Sequence, residues 1–175
     1  MKYFKQIDGT KVNAVKHTLD QLMKYPNLKV FIGTDSQVYG DDIVYVTAIV
    51  YRYGNNGCHY IYNKQWKKRK RVLGKNNDGV MEYERLYEEG VRTIEVFDVI
   101  TNEVPVSIEA LEFDYQEVSK TVSQKLVSQF RGWVATMNTK GVFKSGCMMA
   151  TKAADHIIRH SSRRVRVEED IAEAA

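Results

Sequence analysis

The sequence predicts an α/β fold built on a mixed five-stranded sheet. A three-stranded antiparallel meander comes first, then alternating helices and parallel strands. Helices flank the sheet, and one extra helix precedes it. Three observations predict this. Three runs rich in β-branched and aromatic residues follow one another between residues 28 and 64, separated only by short turn signals. Beyond residue 80 the apolar spacing alternates between helical and strand periods. The chain has 175 residues, 43% of them hydrophobic, which suffices for one core.

The elements follow in order. Residues 9–25, GTKVNAVKHTLDQLMKY, set Val12, Val15, Leu19, Leu22 and Met23 at helical spacing. Pro26 ends that helix, because the residue before a proline avoids the helical region. Leu28–Ser36 reads as the first strand and Ile43–Tyr53, IVYVTAIVYRY, as a long second one. Tyr39-Gly40-Asp41-Asp42 joins them as a hairpin. A second turn, Tyr53-Gly54-Asn55-Asn56-Gly57, leads into a third strand at Cys58–Lys64. Lys67–Gly79, with its KKRKR and GKNNDG runs, reads as an exposed basic loop. Residues 80–99 form a helix with a stripe at Val80, Tyr83, Tyr87, Val91 and Ile94. Pro105–Asp114 is a fourth strand. Val118–Met137 is a helix, Gly141–Lys144 a short fifth strand and Cys147–His160 a last helix. The expected organisation is one domain over residues 1–160, of which 1–27 is a helical extension, followed by a charged tail at 161–175.

The bulk properties exclude several classes. No apolar run reaches membrane-spanning length. MKYFKQIDGT lacks the apolar core of a signal peptide, so the expected location is the cytoplasm. Cys58 and Cys147 lie far apart without CxxC or CxxH spacing, which points to two buried thiols rather than a disulfide framework or a structural zinc site. There is no phosphate-binding G-x-x-x-x-G-K-[ST] loop and no G-x-S-x-G elbow beside Ser36. A net charge of +4 and a pI near 8.9 permit a polyanionic partner without requiring one.

Carboxylates carry the functional signal. The first strand, within LKVFIGTDSQVYG, runs into Asp35, and the fourth ends on Asp114. If those strands are parallel neighbours, the two acids meet at one sheet edge. Glu84 lies near the start of the 80–99 helix, one turn before Tyr87, and Asp155 sits on the last helix among Ala153, Ala154, Ile157 and Ile158. Each has an ordinary alternative. Asp-Ser is a good turn pair, Glu84 has Glu82, Glu88 and Glu89 around it, Glu109 and Glu112 compete with Asp114, and a basic residue would satisfy Asp155. Four carboxylates aimed at one point repel one another unless a cation neutralises them. Mg²⁺ and Mn²⁺ prefer such oxygen ligands, and a pair of them forms the two-metal clamp of nucleases and polymerases.

The IGTDSQV run (Ile32 to Val38), the Tyr83-Glu84 pair, the EFD strand end at Asp114 and the ATKAAD run ending at Asp155 resemble the ribonuclease H superfamily, which also holds RuvC-type resolvases, transposases and integrases. The nearer likeness is to the YkuK type of bacterial ribonuclease H-like proteins, over roughly residues 28–160. The resemblance implies a metal-dependent nuclease that cuts nucleic-acid phosphodiester bonds with two Mg²⁺ or Mn²⁺ ions. Asp35, Glu84, Asp114 and Asp155 would be ligands and catalytic residues, with Asp35 bridging both ions. A non-catalytic nucleic-acid or protein-binding module on the same fold is the alternative. His156 and His160 lie on the last helix itself, not on a loop before it.

Basic and polar residues are the expected grips on nucleic acid. Lys67, Lys68, Arg69, Lys70 and Arg71 are candidate phosphate contacts, although such a run is most often a solvated loop. Lys144 and Lys152 are candidates near the scissile phosphate, and Ser36 and Gln37 place polar groups beside the backbone of a DNA, RNA, hybrid or junction substrate. Trp66 reads either as a base-stacking residue or as packing.

Overall fold

The structure, a computed structural model, describes residues 1–69, 78–116, 122–144 and 148–160. Its centre is a seven-stranded mixed sheet in the order β2-β1-β5-β4-β3-β6-β7. The meander is made of three strands of equal length, β3 (Lys29–Tyr39), β4 (Asp42–Arg52) and β5 (Cys58–Lys68). β3 and β4 pair antiparallel over their whole length, from Lys29↔Arg52 to Tyr39↔Asp42. The two-residue turn between them uses Gly40 at φ 56°, a left-handed conformation that costs glycine little. β6 (Ile108–Phe113) then runs parallel to β3, and β7 (Gly141–Phe143) parallel to β6.

β4 is the middle strand, which explains its unbroken apolar sequence: it is covered on both faces. On one face Ile49 and Tyr51 join Val30, Ile32, Ile61 and Leu111 beneath three helices. These are α1 (Ala14–Lys24), α2 (Asp78–Glu103) and α3 (Val122–Ala135). On the other face Val44, Val46 and Ala48 pack against Ala154, Ile157 and Ile158 of a last helix, α4, over residues 150–160. Burying the valine, leucine and isoleucine side chains among these contributes roughly 1.5–3 kcal/mol apiece.

Several boundaries differ from the sequence reading. The N-terminal segment is not all helix: β1 (Tyr3–Lys5) and β2 (Lys11–Asn13) form a short hairpin that extends the sheet from five strands to seven. Gly9, at φ 89°, turns the chain there. Val12 is therefore a strand residue, and Asn13 begins the helix by accepting the Lys16 N–H at 3.1 Å. β3 continues past Asp35 to Tyr39 because β4 offers it partners throughout, so Asp35 is mid-strand. β5 likewise extends through Lys67 and Lys68, which pair with Ile43 and Asp42, so the basic run begins on a strand and not in a loop. Cys58 is exposed instead of buried; Cys147 lies outside the described residues, as do Lys70, Arg71 and the tail 161–175. Among the described residues no helix is long and apolar enough to cross a membrane.

Candidate active site

β3 supplies the first carboxylate. Its parallel partner β6 matches Gly33 with Glu112 and stops at Phe113, so Asp114 leaves the sheet beside Asp35. Strand alternation turns Gly33, Asp35 and Gln37 toward α4 and turns Thr34 and Ser36 toward α2. α4 lies close on Gly33: a Cβ there would meet Thr151 Cγ2 at 3.0 Å and Thr151 N at 3.1 Å. One turn after Thr151, Asp155 faces the same cleft of 360 Å³. Asp35, Asp114, Lys144, Thr151, Lys152 and Arg159 line it with Asp155.

Glu112 sets this arrangement. It is 1% exposed, and its carboxylate accepts the backbone N–H groups of Met149 (2.9 Å), Ala150 (2.7 Å) and Thr151 (3.2 Å). A carboxylate at a helix N-terminus satisfies donors that the helix cannot and complements its dipole. Burial raises the Glu112 carboxyl, while the three N–H groups pull it down. Both rivals of Asp114 are thus engaged elsewhere, since Glu109 pairs with Lys29 at 3.0 Å.

The electrostatics single out Asp35. Burial pushes its carboxyl up to about 6, and the charges of Asp155 and Asp114 add to the rise; the Ser36 N–H (2.9 Å) and Arg85 oppose it. Among the described residues Asp35 has no ion pair. Asp114 is paired with Lys144 at 3.3 Å and Asp155 with Arg159 at 2.8 Å, both in partly exposed settings where such pairs contribute about 1 kcal/mol or less.

The structure does not bring Glu84 to this cleft. Glu84 is exposed and lines a separate recess of 290 Å³ with Lys67, Lys68, Arg69 and Tyr45. The acid of α2 that approaches Asp35 is Glu89, 3% exposed, which accepts from Ser36 Oγ at 2.5 Å and Arg85 at 2.9 Å. Burial pushes Glu89 up to about 8; Arg85 pulls against this, and Asp35 and Asp114 add to it. A second recess, of 500 Å³, joins Glu89, Glu82, Arg85 and Ser36 to Asp35, Asp114 and Lys144. Of the expected stripe, Tyr83, Tyr87, Val91 and Ile94 pack on the core, with Tyr87 against Phe130 and Trp133 of α3, whereas Val80 at the helix start is exposed. Leu86, Glu89, Thr93, Val96 and Ile100 form the more deeply buried face. Reading that second 3–4 spacing would have found Glu89.

The sequence matches the ribonuclease H-like family over residues 11–159. The chain belongs to that family. No curated protein matches it. A solved structure, the N-terminal RNase H domain of a Mycobacterium tuberculosis protein fused to maltose-binding protein, is similar at 15% identity. The likeness covers 78% of this chain and 99% of that one, with a TM-score of 0.30.

In this ribonuclease H-like chain the donor set suits a hard cation. Asp35, Asp114 and Asp155 place carboxylate oxygens in one cleft, and among the described residues Asp35 has no ion pair. Among the described residues no three acidic, histidine or cysteine side chains converge on one point, and Asp114 and Asp155 would have to leave Lys144 and Arg159 before they could share an ion.

The other expected grips divide. Lys144 and Lys152 line the cleft. Gln37 is exposed on Asp35's face and accepts from Tyr39 Oη at 3.1 Å. Ser36 is buried and turned to Glu89 and Arg85, where it holds α2 instead of facing solvent. Lys67 pairs with Glu88 and Lys68 with Asp42, at the rim of the α2 recess.

Proposed function

We propose that the chain is a metal-dependent nuclease that hydrolyses nucleic-acid phosphodiester bonds at the Asp35 cleft. The observation that carries this is that Asp35, Asp114 and Asp155 line one cleft beside α4, with Asp35 destabilised as an anion by burial and by its neighbours. Asp35, Asp114 and Asp155 would hold the cations. Bound Mg²⁺ or Mn²⁺ supplies an activated water and neutralises charge on the phosphate. Lys144, Lys152 and Arg159 at the rim hold phosphate oxygens and orient the backbone across Asp35. The buried Glu89–Arg85–Ser36 group fixes β3 against α2 behind the reacting carboxylate.

The test is cleavage of labelled single strand, duplex, RNA–DNA hybrid and four-way junction with Mg²⁺ or Mn²⁺, beside Asp35→Asn. Cleavage of one member that disappears in the variant is expected. No cleavage by a folded wild-type chain would sink the proposal. It would favour a non-catalytic binding module, a reading supported by the Lys144 and Arg159 pairs already on two of the three carboxylates.

A further inference from the structure

The face of the sheet that carries Asp35 is only partly covered by α4. Along β3, Asp35, Gln37 and Tyr39 alternate onto that face. Across the sheet Gln37 pairs with Val44, and Val44 with Trp66 of β5, so Trp66 and Lys64 share it too. Trp66 is 51% exposed. Its ring lies 5.6 Å from that of Tyr39 at 53°, and the Lys64 ammonium sits 5.1 Å from the indole. Lys68, two residues beyond Trp66 on the same face, has a side chain 80% exposed.

A single exposed tryptophan needs no explanation. Here two large rings, a lysine over one of them and a second lysine beyond form one patch on the same sheet face as the catalytic carboxylate. We propose that Tyr39 and Trp66 are a stacking platform for unpaired bases of the strand whose backbone crosses Asp35, a reading that rests on the proposed nuclease site. Tyr39 lies four positions beyond Asp35 on β3, about 13 Å at roughly 3.3 Å per residue. At the 3.4 Å rise of a stacked strand that is about four nucleotides. Aromatic faces accept any base, and Lys64 and Lys68 supply phosphate contacts beside them. The platform therefore selects substrates with a single-stranded segment a few nucleotides from the cut, whatever its sequence.

The decisive experiment measures binding of a labelled single-stranded oligonucleotide by fluorescence anisotropy, with the Asp35→Asn chain in Mg²⁺ so that nothing is cut. Trp66→Ala is expected to weaken binding by roughly 5- to 150-fold, the range for losing one stacked base. Trp66→Phe should keep most of the affinity, and abasic sites in the oligonucleotide should mimic Trp66→Ala. The salt dependence should be the same in Trp66→Ala and its parent, because stacking releases no counterions, but shallower in Lys64→Ala. Parent-like binding by both Trp66→Ala and Tyr39→Ala overturns the platform and leaves the nuclease reading standing on the cleavage panel. Failure of the parent to bind any strand at low salt overturns the platform as well. A Trp66→Ala effect on self-association in place of strand binding assigns the patch to a second copy of the chain and overturns it too.

Discussion

The Glu112 carboxylate accepts the backbone N–H of Ala150 at 2.7 Å, which ties the end of β6 to the first turn of α4. That bond, with its neighbours to Met149 and Thr151, fixes where Asp155 stands relative to Asp35 and Asp114.

Replacing Glu112 by Ala strands three N–H groups in a buried setting. The expected loss is about 2–4 kcal/mol of stability in a denaturant titration. Glu112→Gln keeps one accepting oxygen and should lose less. In both, cleavage should fall more steeply than the folded fraction, because α4 carries Asp155, a proposed ligand. Activity that tracks the folded fraction alone would show that α4 docks without this cap.

Glu84 and Glu89 make a controlled pair on one helix. Glu84→Gln changes an exposed residue and should leave stability within about 0.5 kcal/mol and cleavage nearly unchanged. Glu89→Ala removes the Ser36 and Arg85 contacts behind Asp35, and displacement of a catalytic group by about 1 Å lowers turnover by up to 100-fold. Steady-state rates on the cleaved substrate decide between them; the reverse order would restore Glu84 as the ligand from α2.

The Asp35 carboxyl is raised to about 6 from an ordinary 3.8, so an ion held there as proposed would bind in a pH-dependent way. A raised carboxyl favours the protonated folded chain. Its stabilisation is complete below pH 3.8 and is lost as pH rises through about 6. Metal-free protein should therefore lose this contribution across that window, and Asp35→Asn should flatten the loss. A cation needs the ionised form, so the rise in melting temperature with Mg²⁺ or Mn²⁺ should grow from about pH 5 to pH 7 and vanish in Asp35→Asn. A metal shift that ignores pH would remove Asp35 from the ligand set.

A second pH effect arises far from the cleft. His17 of α1 and His59 of β5 face each other, Nε2 to Nε2, at 2.9 Å, so one donates and the other accepts. Burial lowers both imidazoles, and for His17 the His59 ring adds to it; Asp20 and Asp8 oppose. The Tyr51 ring packs against both. Depressed imidazoles stabilise the fold above their ordinary value of 6.5, and that contribution fades as pH falls through the lowered values. Thermal melts from pH 7.5 to 5 should show this acid sensitivity, reduced in His59→Gln. Equal slopes in the two proteins would mean that the pair does not titrate in this range.

The meander was legible because β4 is buried on both faces and so wrote an unbroken β-branched run, IVYVTAIVY, between two glycine turns. Asp35 was legible because an acid within such a strand needs a reason. β1 and β2 were not: at three residues each, with Val12 fitting the helical stripe of α1, they show no alternation of their own. Glu89 was hidden because α2 is apolar toward both the sheet and α3, and the aromatic face toward α3 dominates the pattern. Glu112 could not be told from Asp114 by strand parity, since the two share it; what separates them is where α4 begins in space.

α4 also has a place in time. Asp35 and Asp114 come together once β3 and β6 pair, but Asp155 follows every strand of the sheet in the chain. A chain leaving the ribosome from its N-terminal end therefore exposes its sheet before the helix that completes the acidic cleft. Until α4 docks on Gly33 and Glu112, the nascent protein carries two of the three carboxylates that line the cleft, so the acidic site is assembled last.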